Sequence, residues 1–416
     1  MLSFFVLFAG CTDKSNELPK RTVFTFTLSS GLLSAGRDYW IVLHDNESGE
    51  LIDAKQVMVE NVPVIFETTM PIPSNKMDVT FVDATSNSTT GYVSAQVYTN
   101  IFIGSTWTAM ARGVQTTIPD SGTILGTYDL KVTGLPSLFS IDVSDKFGDL
   151  IDGDQSSYAF EAGTLTARVN VNSKGAGQMV SIDTGSGKPR YVMINDPAAN
   201  NQVTLDYSTF REYDKYVTMT LPKPTPVIYT EVVGYFGDLP INWDSFTIQH
   251  YDAVHFRDPA NAPAKTEINI GTLSSLSTYT MRVYINGEFF FTSYGPAPAS
   301  IEFVDPAPYQ TTGTTVEDLQ VVTDAAYNFT ASVFVNHGSR GITCIYYSPA
   351  GSPLKLRDPF SAEITSKYGI DMSNVVHNNT SFSVKGASYS DFIEFYFSPV
   401  FAVSRAFTRT EVVTFR

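Results

Sequence analysis

The sequence predicts an all-β protein built as three or four tandem β-sandwich domains. Three observations carry that expectation. Short runs rich in Val, Ile, Thr, Tyr and Phe recur, bounded by Gly, Pro, Asn and Asp, a pattern of sandwiches and barrels. Sustained 3.6-residue periodicity is almost absent, and only Phe360 to Tyr368 reads as a short helix. The strand-like runs fall into pieces of about 80 to 110 residues, the size of one sandwich.

The first piece spans residues 22–125. Val23 to Leu28 alternates apolar and polar residues. Tyr39 to His44 and Leu51 to Val57 are separated by Asp45 to Glu50, whose Asx residues and Gly49 predict a hairpin turn. Met77 to Val82 and Gly91 to Val97 supply later strands. The second piece spans residues 126–221. It opens with Tyr128 to Val132 and turns at Gly134. Phe139 to Val143 follows. Leu165 to Val171 alternates cleanly, which predicts one buried and one wet face. Pro222 to Pro226 has the composition of a stiff linker and marks the best boundary in the chain.

The third piece spans residues 227–304. Tyr279 to Ile285 and Glu288 to Thr292 flank Asn286-Gly287, the pair that favours a type I′ hairpin. Asp305 to Thr315 is a Pro- and Gly-punctuated boundary. The last piece, residues 316–416, has strands near Phe329 to Val335, Ile342 to Tyr347 and Phe392 to Phe397. In size and strand content the four pieces resemble immunoglobulin-like sandwiches. A transmembrane barrel is the rival architecture. Irregular strand lengths and Pro-rich linkers weigh against it.

Composition narrows the function. Hydrophobic residues make up 43% of the 416-residue chain and charged residues 17%, enough for sizeable cores. The formal net charge is −15, from 27 basic and 42 acidic residues, with no basic cluster. Phosphate backbones require clustered Lys and Arg, so nucleic acid is not an expected partner. An acidic surface also disfavours passive adsorption to anionic membranes.

Residues 2 to 9 form an apolar run broken by Ser3 and ending in Phe8-Ala9-Gly10-Cys11. The run is under half the roughly 20 residues that span a bilayer and has the size of a signal-peptide apolar region. Phe8-Ala9-Gly10-Cys11 resembles the lipobox of bacterial lipoproteins. That resemblance implies a signal peptide over residues 1–10, lipid attachment at Cys11 and a tether over residues 11–21. It also implies export and outer-membrane anchoring on the periplasmic or cell-surface face. Asp13, Lys14 and Glu17 resemble the charged export tags of Bacteroidota surface lipoproteins, whose ligands are commonly glycans or envelope proteins. With Cys11 acylated, Cys344 has no partner within the chain and is expected as a buried thiol.

No nucleophile-elbow, zincin, P-loop or dinucleotide motif occurs. His250 to Asp258 packs two His and two Asp into nine residues. On a strand, however, His250 and His255 point to opposite faces. Asp142, Asp145, Asp149, Asp152 and Asp154 form the densest acidic stretch. Hard oxygen ligands in Gly-containing loops suit a structural calcium ion, but the spacing is not that of an EF-hand loop. Trp243, Tyr235 and Tyr251 are the candidate ligand-binding aromatics; Trp40 and Trp107 are expected in the core. The expected function is therefore non-catalytic binding or scaffolding of a glycan or envelope protein. The alternatives are a glycan-active hydrolase with an inter-domain carboxylate pair and a subunit that assembles by strand addition.

Overall fold

The computed structural model describes residues 19–85, 91–109, 123–136, 140–146, 148–149, 158–173, 177–184, 187–236, 245–252, 264–336, 340–351, 356–398 and 407–415. Among the described residues the fold is all-β, with several sheets packed as sandwiches and no barrel.

One 13-stranded sheet organises it. Its order is Ser245–Asp252, Lys215–Tyr235, Thr278–Ile285, Phe289–Gly295, Phe407–Phe415, Val376–Gly386, Phe329–Asn336, Arg340–Pro349, Gly91–Phe102, Lys76–Thr85, Arg37–Asp45 and Leu51–Val57. Strand Ala264–Thr272 joins off this path, against Lys215–Tyr235. The expected pieces are thus stitched together by backbone pairing. Arg340–Pro349 runs parallel to Gly91–Phe102, with Cys344 opposite Ala95. Phe407–Phe415 pairs antiparallel with Phe289–Gly295 on one side and Val376–Gly386 on the other.

The expected linker at Pro222 to Pro226 lies inside the long strand Lys215–Tyr235. Its first half pairs with Ala264–Thr272, and the register jumps between Thr220 and Thr225. Its second half pairs with Ser245–Asp252 and Thr278–Ile285. Proline has no N–H to give a ladder, so the Pro-rich segment sits where the strand leaves one set of partners for another.

Local turns match their sequence signals. Asp45 Oδ1 accepts from the N–H groups of Glu47 (3.1 Å) and Ser48 (2.7 Å), and Gly49 adopts φ +76° to close the Arg37–Asp45/Leu51–Val57 hairpin. Asn286 (φ +48°) and Gly287 (φ +72°) both take the left-handed conformations that the 285–289 hairpin needs. Leu165, Ala167, Val169 and Val171 are buried while Thr166 and Arg168 face water.

The Arg37–Asp45 strand is buried from Tyr39 onward, because both sheet faces are covered. Tyr39, Ile41 and Leu43 pack with Phe24, Phe26 and Trp107 from a three-stranded sheet. Trp40 and Val42 pack with Val82, Ala95, Cys344, Ile364 and Tyr368 on the other face. Trp40 and Trp107 are core residues, and Cys344 is a buried free thiol whose proton is held tightly by burial. A second sandwich closes over Tyr128, Leu130, Val143, Val169 and Ile182.

Among the described residues, two short α-helices cap this framework. Ala362–Tyr368 matches the sequence expectation; Ser361 caps it and Gly369 ends it at φ +60°. The run Phe392 to Phe397, read above as a strand, is instead part of helix Tyr389–Phe397. Its aromatic residues favour strands by propensity. A capping box at Ser388 and Asp391 starts the helix, and burial of Phe392 and Phe397 holds it.

Candidate functional site

Alternation on adjacent strands builds an aromatic face on the 13-stranded sheet. On Lys215–Tyr235, Thr230 and Val232 are buried, whereas Tyr229, Glu231, Val233 and Tyr235 are half-exposed on the opposite side. Tyr229 pairs in register with Tyr284, and Tyr284 with Phe290. Their rings form a row, with centroids 5.3 Å apart and stacked for Tyr229–Tyr284, and 4.8 Å apart and tilted for Tyr284–Phe290. Beside the row, Arg282 Nη1 donates to Glu231 Oε2 at 2.8 Å. Partial burial raises the Tyr229 and Tyr284 phenol pKa values, so both rings keep their hydroxyl protons. Apolar ring faces next to a fork of charged donors and acceptors suit a ligand with both apolar faces and hydroxyl or amide edges.

A second polar constellation ends the apolar face around Trp40 and Val42. His44 and Asp78 are direct cross-strand partners, as are Val42 and Thr80. Val97, Thr99, Tyr346, Arg357, Asp358 and Pro359 complete the lining of a cavity with about 10 Å³ of free space for a water-sized sphere. Arg357 donates to the Asn46 carbonyl at 3.0 Å and lies where a side chain on Gly49 would sit. Burial lowers the His44 pKa to about 4, helped by the Arg357 charge. Burial raises the Asp78 pKa to about 6, against hydrogen bonds from Asn46 (2.6 Å) and Asn100 (3.2 Å). The Thr80 hydroxyl lacks a protein partner. A cavity of this size holds one water, not a sugar ring.

The sequence-predicted residues scatter. Tyr235 lies at the end of the aromatic face and shares a hydrogen bond with Thr280. Tyr251 pairs with Thr230, whereas Tyr235 pairs with Ser245, so about 16 Å of strand separates the two positions. Trp243, Asp152, Asp154, His255 and Cys11 lie outside the described residues; of Asp149, Tyr251 and His250 only the backbone is described. Asp142 and Asp145 are both buried on strand Ser140–Asp145, but an odd spacing sends them to opposite faces. Asp145 Oδ2 accepts from Asn172 Nδ2 at 3.0 Å. Among the described residues no three His, Cys, Asp or Glu side chains converge as metal ligands. Tyr229, Tyr284 and Phe290 were missed. Their period-2 alternation was legible, but their meeting depends on register across three strands.

No protein-family model matches the chain, and no curated protein matches it. Among solved structures, a pilus adhesin, SpaC from Lactobacillus rhamnosus GG, aligns over 80% of this chain at 9% identity with a TM-score of 0.12. The chain spans 44% of that structure's length.

Proposed function

We propose that this chain is an exported, lipid-anchored cell-envelope protein that binds a glycan or envelope protein without catalysing a reaction. The observation that carries the binding role is the half-exposed row Tyr229–Tyr284–Phe290 beside the Glu231–Arg282 pair. Rings held on three paired strands lose little freedom when a ligand stacks on them, so little affinity is spent on ordering. The scaffold supports the same reading: pairing across one continuous sheet means that the pieces cannot swing apart without breaking backbone hydrogen bonds.

Two measurements test the halves separately. On glycan arrays and with envelope-protein pull-downs, Tyr284→Ala is expected to weaken binding about tenfold, the loss of roughly 1.4 kcal/mol. Tyr92→Ala, an exposed tyrosine elsewhere, should leave binding unchanged. Equal binding by both variants would remove the aromatic row from the proposal. For the anchor, the protein is purified from its native membrane and its intact mass taken. The wild type should begin at Cys11 and carry acyl mass, and Cys11→Ala should lose it; an unacylated wild-type chain would sink the lipoprotein reading.

Assembly by strand addition is less favoured at the Leu51–Val57 edge. Lys55 Nζ reaches across to the Ile65 carbonyl at 2.6 Å on the neighbouring edge strand, and Asp53 accepts from the Ala54 N–H. Charged side chains that occupy edge groups block an incoming strand.

A further inference from the structure

The second sandwich presents a polar face towards strand Ser245–Asp252, and Lys265 of strand Ala264–Thr272 reaches the same face. Asp183 and Ser181 lie on one side of strand Gln178–Asp183, and the residues opposite them in register are Ser140 and Asp142. The neighbouring positions Val180 and Ile182 point the other way, into the apolar core. Asp142 and Asp183 are therefore diagonal neighbours on the same face, about 7 Å apart at their Cβ atoms. Lys265 Nζ lies 2.9 Å from Asp183 Oδ2. The lysine and aspartate side chains are 6% and 3% exposed. Tyr213 borders the Asp142 and Ser181 side of this face. It is buried, stacks on Tyr191 with centroids 4.8 Å apart, bonds to Ser181 and packs where a side chain on Gly271 would sit.

We propose that Lys265 and Asp183 are joined by an amide bond between their side chains, formed by the protein itself with Asp142 as proton carrier. The juxtaposition supplies three things the reaction needs. The amine and carboxyl are held in contact, so attack has the effective concentration of an intramolecular step, about 10⁵ M or more. A second carboxylate on the same face takes and returns protons. The surrounding burial excludes the water that would reverse the reaction.

The step balances without a co-reactant. The Lys265 ammonium passes one proton to the Asp183 carboxylate, and the freed Nζ lone pair of the neutral amine attacks Asp183 Cγ and forms the C–N bond. The Asp142 carboxylate then takes a second proton from the now positively charged Nζ of the tetrahedral intermediate. Asp142 returns that proton to the departing hydroxyl oxygen, one Cγ–O bond breaks, and water leaves. Of the three ammonium hydrogens, two depart in that water and one stays on the amide nitrogen. Burying an ammonium and a carboxylate carries a large desolvation penalty; a neutral amide removes both charges. The bond would tie the sheet of the second piece to strand Ala264–Thr272, and it stands independently of the binding role proposed above.

Intact mass of the purified chain, followed by peptide mapping, tests it. The wild type should be one water lighter than its sequence, about 18 Da, and yield a branched peptide containing Lys265 and Asp183. Lys265→Arg keeps the charge but cannot form the amide, so its mass should match its sequence while its strand-rich circular dichroism persists. Asp142→Ala should leave most molecules at full mass. A folded wild type at full mass, or a deficit that survives Lys265→Arg, overturns the proposal. A deficit that survives Asp142→Ala overturns the role given to Asp142.

Discussion

Replacing Asp78 by Asn is expected to make the protein lose stability as pH falls from 6.5 to 4, while replacing His44 by Gln should make it lose stability as pH rises from 4 to 6. The signs follow from the two opposite shifts. His44 drops from 6.5 unfolded to about 4 folded, so the unfolded chain binds its proton more readily. Protonating it costs the folded state about 3 kcal/mol, fully felt below pH 4 and absent above 6.5. Asp78 rises from 3.8 unfolded to about 6 folded, so the folded chain holds its proton longer. Its ionisation costs about 3 kcal/mol, absent below pH 3.8 and fully felt above 6. In the wild type the two opposite slopes largely offset each other between pH 4 and 6, because the His44 and Asp78 shifts are similar in size and opposite in their effect on stability. Urea midpoints measured from pH 4 to 7, taken as differences from the wild type, read each slope. Difference curves that stay flat for both variants would show that the row does not titrate as described.

Phe392→Ala should remove about 3 to 5 kcal/mol of stability. The side chain is 1% exposed and its ring centroid lies 4.7 Å from Phe329, 5.0 Å from Tyr347 and 4.6 Å from Tyr396. The Arg409 guanidinium sits 5.2 Å from the same ring. Deleting the ring leaves a hole that this crowded cluster cannot close without moving the helix. Trp107 reports such movement, since it stacks on Phe397 at 4.4 Å and 9° and its fluorescence should change. Ser388→Ala is the partner experiment. It removes the cap of helix Tyr389–Phe397 and should cost about 1 kcal/mol. A neutral Ser388→Ala together with a mild Phe392→Ala would mean that residues 389 to 397 do not form the packed helix.

That helix shows where sequence reasoning stops. Phe392 to Phe397 is a run of aromatic and β-branched side chains broken by Glu394, and by local propensity it reads as strand. The signal against it was present in Ser388 and Asp391, three residues apart, just ahead of the run. The opposite lesson comes from Pro222 to Pro226. Composition marked a discontinuity correctly, but the discontinuity is a change of pairing partners within one strand, not a spacer. The acidic stretch is a third case. Asp142 and Asp145 are close in sequence, yet the pleat separates them and sets Asp142 on the same face as Asp183, 41 positions away.

The sequence by itself determined the features that depend on neighbours in the chain. These are the all-β class, the hairpins at Asp45 to Glu50 and Asn286-Gly287, the alternation of Leu165 to Val171 and the burial of Trp40, Trp107 and Cys344. Each follows from side-chain shape, backbone freedom or period over fewer than ten residues. Only the tertiary structure decided the strand order, the parallel pairing of Arg340–Pro349 with Gly91–Phe102, the aromatic row and the contact of Lys265 with Asp183. Backbone pairing groups are the same for every residue except proline, so a strand's sequence does not name its partner. The partner is selected by which faces can be buried together, and that is a property of the whole chain.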